Sequence, residues 1–256
     1  MNGNGAGVTT PAHGDTTGHS AEMREIEAIV AGIEGQVAEW AAATSAWLDG
    51  CGKPTGTAVD KFIRPSVQTL LQGPGAKVAG AGFIATLGLL GPDRSYIAWW
   101  QGDDMERVDA LANFSPQSLS RYTRAEWFRI PVETGRPHVT GPYIDLLCTD
   151  EYVLTFTHPV FRGGQIAGIV GVDVTAQTLE RLGLPPLRRI GPRAALVNVS
   201  AAGSADSAVA NDGGRAVICA TADIDAGDRV VPASGAESWP AGRQFRIYSS
   251  VEAALG

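Results

Sequence analysis

Tyr122-Thr-Arg-Ala-Glu-Trp-Phe-Arg-Ile-Pro-Val-Glu-Thr-Gly-Arg-Pro-His-Val-Thr-Gly-Pro-Tyr-Ile-Asp145 and, after a polar turn, Thr155-Phe-Thr-His-Pro-Val-Phe-Arg-Gly-Gly-Gln-Ile-Ala-Gly-Ile-Val-Gly-Val-Asp-Val-Thr175 decide how this chain is read. The second half is a hairpin. Tyr152 to Phe161 and Ile166 to Val174 are strands rich in β-branched and aromatic residues, and the turn between them, Arg162-Gly163-Gly164-Gln165, has the glycines a two-residue loop requires. Asp173 stands out because the run around it reads as buried strand. A carboxylate there needs a cation or several donors, since burying it unpaired costs several kcal/mol or shifts its pKa. The plainer reading is that Asp173 caps a helix starting near Thr175 or pairs with an arginine.

The chain has 256 residues, enough for one large domain or two small ones. Hydrophobic residues make up 44% of it, consistent with a soluble globule that has a core. The formal net charge of −7 argues against a nucleic-acid partner, which would need a basic face. Cys51, Cys148 and Cys219 lie far apart without zinc-like spacing, so no metal or cofactor is expected. The N-terminus lacks a secretory pattern. Val78 to Leu90 is too short and too glycine-broken to span a bilayer. The expectation is a cytoplasmic protein without a membrane partner.

Residues 1–18 read as a disordered tail. Ser20 is a candidate N-cap for a long helix in which Ile26, Val30, Ile33, Val37, Trp40, Thr44 and Trp47 form one apolar stripe, ending at Gly50. That stripe is expected to be covered partly by the domain itself and partly by a second copy. Ala58 to Gln72 reads as a second helix interrupted or bent by Pro65, stopped at Gly73-Pro74-Gly75. Val78–Leu89, Ser95–Gln101 and Arg107–Leu111 form a meander. Ser118 to Glu133 reads as a helix closed by Gly135, followed by a short strand, Val139–Tyr143. After the hairpin, Ala176 to Leu182 is helical and Pro185-Pro186 ends it. The remainder reads as a smaller α+β lobe, with strands near Ala194, Ala216 and Phe245. The glycines of the hairpin do not make a phosphate loop, because they open a strand rather than a helix. His138 and His158 do not assemble into a catalytic set with a nucleophile.

The long first helix, the Ser-Tyr-Ile-Ala-Trp-Trp meander, Arg-Ala-Glu-Trp-Phe, Gly-Pro-Tyr-Ile-Asp and Gly-Ile-Val-Gly-Val-Asp-Val together resemble the Cache superfamily of PAS-like bacterial ligand-sensing domains. The resemblance covers Ala21 to Leu182 well and the tail loosely. It implies an α+β fold: a long N-terminal helix, a PAS-like antiparallel sheet over residues 19–186, and a smaller membrane-proximal-like lobe over 187–256. In the double-Cache branch that binds amino acids and amines, Trp127, Phe128, Tyr143, Asp145 and Asp173 match pocket positions. Ser120 and Ala125 stand where that pattern has a tyrosine and a carboxylate-gripping arginine. Tyr122 joins the candidate set, and Arg124 or Arg121 is the candidate substitute for the missing guanidinium. Two carboxylates with aromatic faces and no guanidinium favour a net-cationic ligand. The resemblance therefore implies a sensory module for a small amine or amino acid, signalling through a homodimer at the N-terminal helix or through a separate regulator. The alternatives are an enzyme acting on small amines, with Asp145 or His158 as base, and an interaction domain with a degenerate pocket.

Overall fold

The computed structural model describes residues 20–73, 75–92, 94–108, 122–145, 151–199 and 215–254. The N-terminal tail, Leu111, Ser118 to Arg121, Cys148 and the Ser/Ala-rich loop after Val199 lie outside the described residues.

Helix α1 (Ala21–Gly50) is about 45 Å long at 1.5 Å per residue. Ser20 caps it, its side chain accepting from the Met23 N–H. The apolar stripe from Ile26 to Thr44 is buried within the chain itself, at 0 to 6% exposure. Trp47 stacks on Phe62 of α2 at 4.5 Å and 8°. The domain's own share of the expected cover thus extends from Ile26 to Thr44, while Trp47 stays half-buried. Helix α2 (Gly56–Gln72) is capped by Thr55 and runs on through Pro65.

Six strands form the first sheet in the order β3-β2-β1-β6-β5-β4, every pair antiparallel. They are β1 (Gly80–Ala85), β2 (Ile97–Gln101), β3 (Glu106–Arg107), β4 (His138–Ile144), β5 (Tyr152–Arg162) and β6 (Gln165–Thr175). Alternation along them divides two cores. Phe83, Trp100, Leu154, Phe156, Val170 and Val172 face the core shared with α1 and α2. Ile84, Ile97, Trp99 and Ile169 face a smaller core with Phe128 of α3 (Glu126–Thr134). The expected helix from Ser118 is broken at Ala125: residues 122–124 make one helical turn and α3 starts afresh. Gly135 closes α3 in the left-handed region at φ 65°.

The hairpin tip is tied to the end of α1. The Gly163 N–H donates to Asp49 (2.7 Å), and Arg162 donates to the Cys51 and Gly52 carbonyls.

Helix α4 (Ala176–Ile190) contradicts the expected stop at Pro185-Pro186. Interior prolines cost a helix about 3 kcal/mol, and burial of Leu179, Pro186 and Leu187 offsets that. The backbone also comes close to the second sheet: a Cβ on Gly183 would lie 2.9 Å from Cys219 Sγ. That sheet has the order β10-β11-β7-β8-β9-β12. Its strands are β7 (Ala195–Asn198), β8 (Arg215–Ala220), β9 (Arg229–Pro232), β10 (Ser238–Pro240), β11 (Phe245–Tyr248) and β12 (Val251–Ala253). The expected α+β lobe is thus a sheet covered on one side by α4, with no helix of its own among the described residues.

Gly32 and Gly35 of α1 have nothing within 4 Å of where a Cβ would sit, so their cost is conformational alone. Gly32→Ala and Gly35→Ala should each raise unfolding free energy by about 0.5–1 kcal/mol in denaturant titrations; destabilisation would mean that α1 is not the continuous helix described.

Candidate functional site

One row of directly opposed residues crosses the first sheet on the α3 side: Thr140, Thr155, Asp173, Gly80 and Gln101. Asp173 is at its centre and 4% exposed. Its Oδ1 accepts a hydrogen bond from the Thr155 hydroxyl at 2.6 Å. Thr155 has only one hydroxyl proton, so the 2.7 Å contact between Tyr143 Oη and Thr155 Oγ1 has Tyr143 as donor. The result is a chain from Tyr143 through Thr155 to the carboxylate.

A bulge in β4 puts Tyr143 there. Thr140 pairs with Thr155 but Tyr143 pairs with Val153, one residue out of step. That shift turns Tyr143, and Asp145 two residues on, to the same face as Thr155. Gly141 sits in the bulge at φ +113°, where an added Cβ would lie 2.6 Å from the Val153 carbonyl oxygen.

Burial pushes the Asp173 carboxyl up to about 7, with the Thr155 hydrogen bond opposing and the nearby Asp145 charge adding to the rise. Asp173 has no ion-pair partner among the described residues; Arg107, Arg129 and Arg189 pair elsewhere. Nor does it cap α4. Thr175 does that, accepting from the Thr178 N–H at 3.1 Å.

Trp99, which the sequence reading placed only in a strand, belongs to this site. A Cβ on Gly82 would lie 2.6 Å from the Trp99 Cα, and one on Gly171 would lie 3.4 Å from its Cη2, so the indole rests on a floor cleared by glycine. A Cβ on Gly80 would lie 3.0 Å from Trp99 Nε1 and 3.2 Å from Asp173 Oδ2. The signal in the sequence was Gly80-Ala-Gly82 opposite Gly171. Trp99 Nε1, Gln101 Oε1 and Thr140 Oγ1 are all buried without a hydrogen-bond partner among the described residues.

The aromatic expectations divide. Tyr122 and Phe128 are buried edge to face, ring centroids 5.3 Å apart, and belong to the core beneath the site. Trp127 is half-buried and meets Phe128 at 6.2 Å and 82°. Asp145 is buried, and its N–H donates to the Glu151 carbonyl at 3.0 Å. Arg124 is exposed and makes no hydrogen bond or ion pair among the described residues, so the structure does not bring it to this cluster as a replacement clamp. Arg121 lies outside the described residues. Glu126 at the start of α3 approaches His138 Nε2 at 3.5 Å.

Residues 94–181 match the family model described as the methyl-accepting chemotaxis protein-like, first PDC sensor domain. No curated protein sequence matches the chain. Among solved structures, it is similar to the sensory domain of the Campylobacter jejuni chemoreceptor Tlp3 with isoleucine bound, at 12% identity over 91% of this chain and 90% of that one, TM-score 0.52. It is also similar to the ligand-binding domain of the same receptor in complex with L-valine, at 13% identity, equal coverage and TM-score 0.54. At these identities the likeness is one of fold. The fold is shared with these sensory and ligand-binding domains, and the matching family model describes a sensor domain.

The sign of the Asp173 shift fixes a pH dependence. The folded pKa lies above the ordinary value of 3.8, so the favourable contribution is complete below about pH 4 and is lost as pH rises through 7. Relative to Asp173→Asn, the wild type should lose stability on the order of a few kcal/mol between pH 4 and pH 8 in paired denaturation curves. A difference that does not vary over that range would place the Asp173 carboxylate in contact with water.

Proposed function

We propose that this chain, a Cache-type sensor module, recognises a small cationic amine at the Asp173 row. The observation that carries the reading is a carboxylate in mid-sheet that receives one side-chain hydrogen bond among the described residues, from Thr155, with Trp99 Nε1 beside the same space and Gln101 Oε1 and Thr140 Oγ1 further along the row, all three buried without a partner among those residues. Buried polar groups are almost always satisfied, so such a set calls for a polar guest. An ammonium group would accept the charge of Asp173, with Asp145 adding field. Trp99 and Trp127 would supply aromatic surface, where a desolvated cation contact contributes about 0.5–2 kcal/mol. The two Campylobacter neighbours were solved with isoleucine and L-valine, which makes α-amino acids the competing class. Against that class stands the lack of a guanidinium at the row among the described residues: Ala125 cannot grip a carboxylate, and Arg124 is exposed.

Occupancy would be transmitted through β5 and β6, which hold Thr155 and Asp173 on one face and pack against α1 with the other. A ligand shifts such a unit only by differential affinity for two of its states. A separate regulator, or a second copy meeting a surface other than the buried stripe, would read the change.

The test is a calorimetric panel of amines paired with their parent α-amino acids. Each amine should bind at least about tenfold more tightly than its parent, a difference of about 1.4 kcal/mol. Asp173→Asn should abolish amine binding while leaving the fold intact, as judged by circular dichroism. Preference for the amino acids throughout the panel would overturn the reading.

Binding should also release a proton. The free carboxyl is mostly protonated at pH 6 and must ionise to meet an ammonium. Titrations at pH 6 in buffers of different ionisation enthalpy should therefore report net release of about 0.4 proton or more per ligand, and affinity should rise between pH 5 and pH 8. Binding without proton exchange would remove Asp173 from the contact.

A further inference from the structure

On the face of the first sheet opposite Asp173, an open cleft of about 230 Å³ lies between α1, the β4–β5 edge and the turn that leads into β11. Its floor is apolar and buried: Val37, Val139 and Phe156. Its rim is charged and polar: Glu34 on α1, His158 on β5 and Arg243 before β11.

The walls are held in place. Gln244 is 8% exposed and grips β4 twice, its Oε1 accepting from the Val139 N–H (2.7 Å) and its Nε2 donating to the Val139 carbonyl (3.0 Å). Asn198 Nδ2 donates to the Gly141 carbonyl at 2.7 Å. The edge of the first sheet is thereby clamped to the second sheet, and the cleft is formed before anything enters it.

The rim groups have complementary roles left over. The Arg243 guanidinium makes no hydrogen bond or close ion pair among the described residues; its charge acts on Glu34, whose Oε1 lies 3.5 Å from the Arg243 backbone nitrogen. His158 Nδ1 lies 3.1 Å from the Pro159 carbonyl oxygen, which can only accept, so Nδ1 carries the proton and the neutral ring keeps Nε2 as an acceptor. Glu34 is half-buried; burial raises its carboxyl, while the Arg243 backbone N–H and the Arg243 charge oppose the rise. One guanidinium donor, one carboxylate and one imidazole acceptor stand around a hydrophobic floor. The volume is below the roughly 300–1,000 Å³ of drug-sized sites, so the occupant is small.

We infer that this cleft is a second ligand site, taking a small zwitterion with a short apolar body. Its ammonium meets Glu34 and His158 Nε2, its carboxylate meets Arg243, and its body rests on Val37, Val139 and Phe156. The site is distinct from the Asp173 row but shares β5 with it: Thr155 holds the carboxylate on one face, while Phe156 and His158 line the cleft on the other. Whatever either ligand does to the other's affinity must be reciprocal.

L-valine is the probe, followed by methyl NMR of Val37 and Val139 and by calorimetry on the full chain. Valine should shift both residues, whereas N-acetyl-L-valine and L-valinamide, each lacking one charge, should bind at least about tenfold more weakly. Arg243→Ala should weaken valine by at least about tenfold. Gly35→Leu should block it: a Cβ at Gly35 meets open space, so the variant folds and its side chain fills the cleft. Asp173→Asn should leave valine binding unchanged. Loss of valine binding in Asp173→Asn, insensitivity to both Arg243→Ala and Gly35→Leu, or no binding up to about 10 mM valine would each overturn the inference.

Discussion

Asp173 lies in a strand paired on both sides, and its carboxylate is buried with one hydroxyl donating to it. Leaving a carboxylate in that position is costly, and the local structure is arranged around the cost. The residue opposite it on β1 is glycine, which leaves room beside Oδ2. Glycines on β1 and β6 let the Trp99 indole lie against the sheet with Nε1 beside the same space. A bulge in β4 re-aims Tyr143 so that its hydroxyl supports Thr155. These features come from five strands and converge on one carboxylate.

The same strands have a second face. Leu154, Phe156, Val170, Val172 and Val174 alternate with the polar row and pack into the core that α1, α2 and α4 close. The sheet is therefore one residue thick between the Asp173 row and the longest helix. Packed cores of this kind respond to a shift by changing arrangement rather than by deforming smoothly. The hydrogen bonds from the hairpin tip to the end of α1, and the pairing of Arg189 on α4 with Glu22 and Glu25, fix that helix at both ends. A rigid rod held at its ends and packed along its length can carry a displacement from the site to either extremity.

Much of this was legible in the sequence because it rests on short-range rules. The α1 stripe, its Ser20 cap, the Gly163-Gly164 hairpin and the buried Asp173 follow from periodicity, capping and turn chemistry. What escaped depended on contacts made at a distance. The Pro185-Pro186 pair reads as a stop until Leu179, Pro186 and Leu187 are seen buried. That the chain's own sheet and helices bury the α1 stripe from Ile26 to Thr44 is seen only in the folded chain. Strands β9, β10 and β12 are three or four residues long and carry too little pattern to be found. Trp99 was missed because its role depends on glycines in two neighbouring strands, and register cannot be read along a single strand. The exposure of Arg124 is likewise a matter of where α3 begins, which the break at Ala125 decides.

The central claim is that Asp173 is a buried carboxylate awaiting a cation. It is tested most directly by carbon-13 NMR of the Asp173 carboxyl, assigned by difference from Asp173→Asn and titrated with pH in the free protein and in the presence of a bound amine. The account predicts a midpoint near 7 in the free protein and a fall of at least about one unit when the amine is bound, since an adjacent opposite charge favours the ionised form. A midpoint near the ordinary 3.8 in the free protein, or one that the amine leaves unchanged, would contradict it.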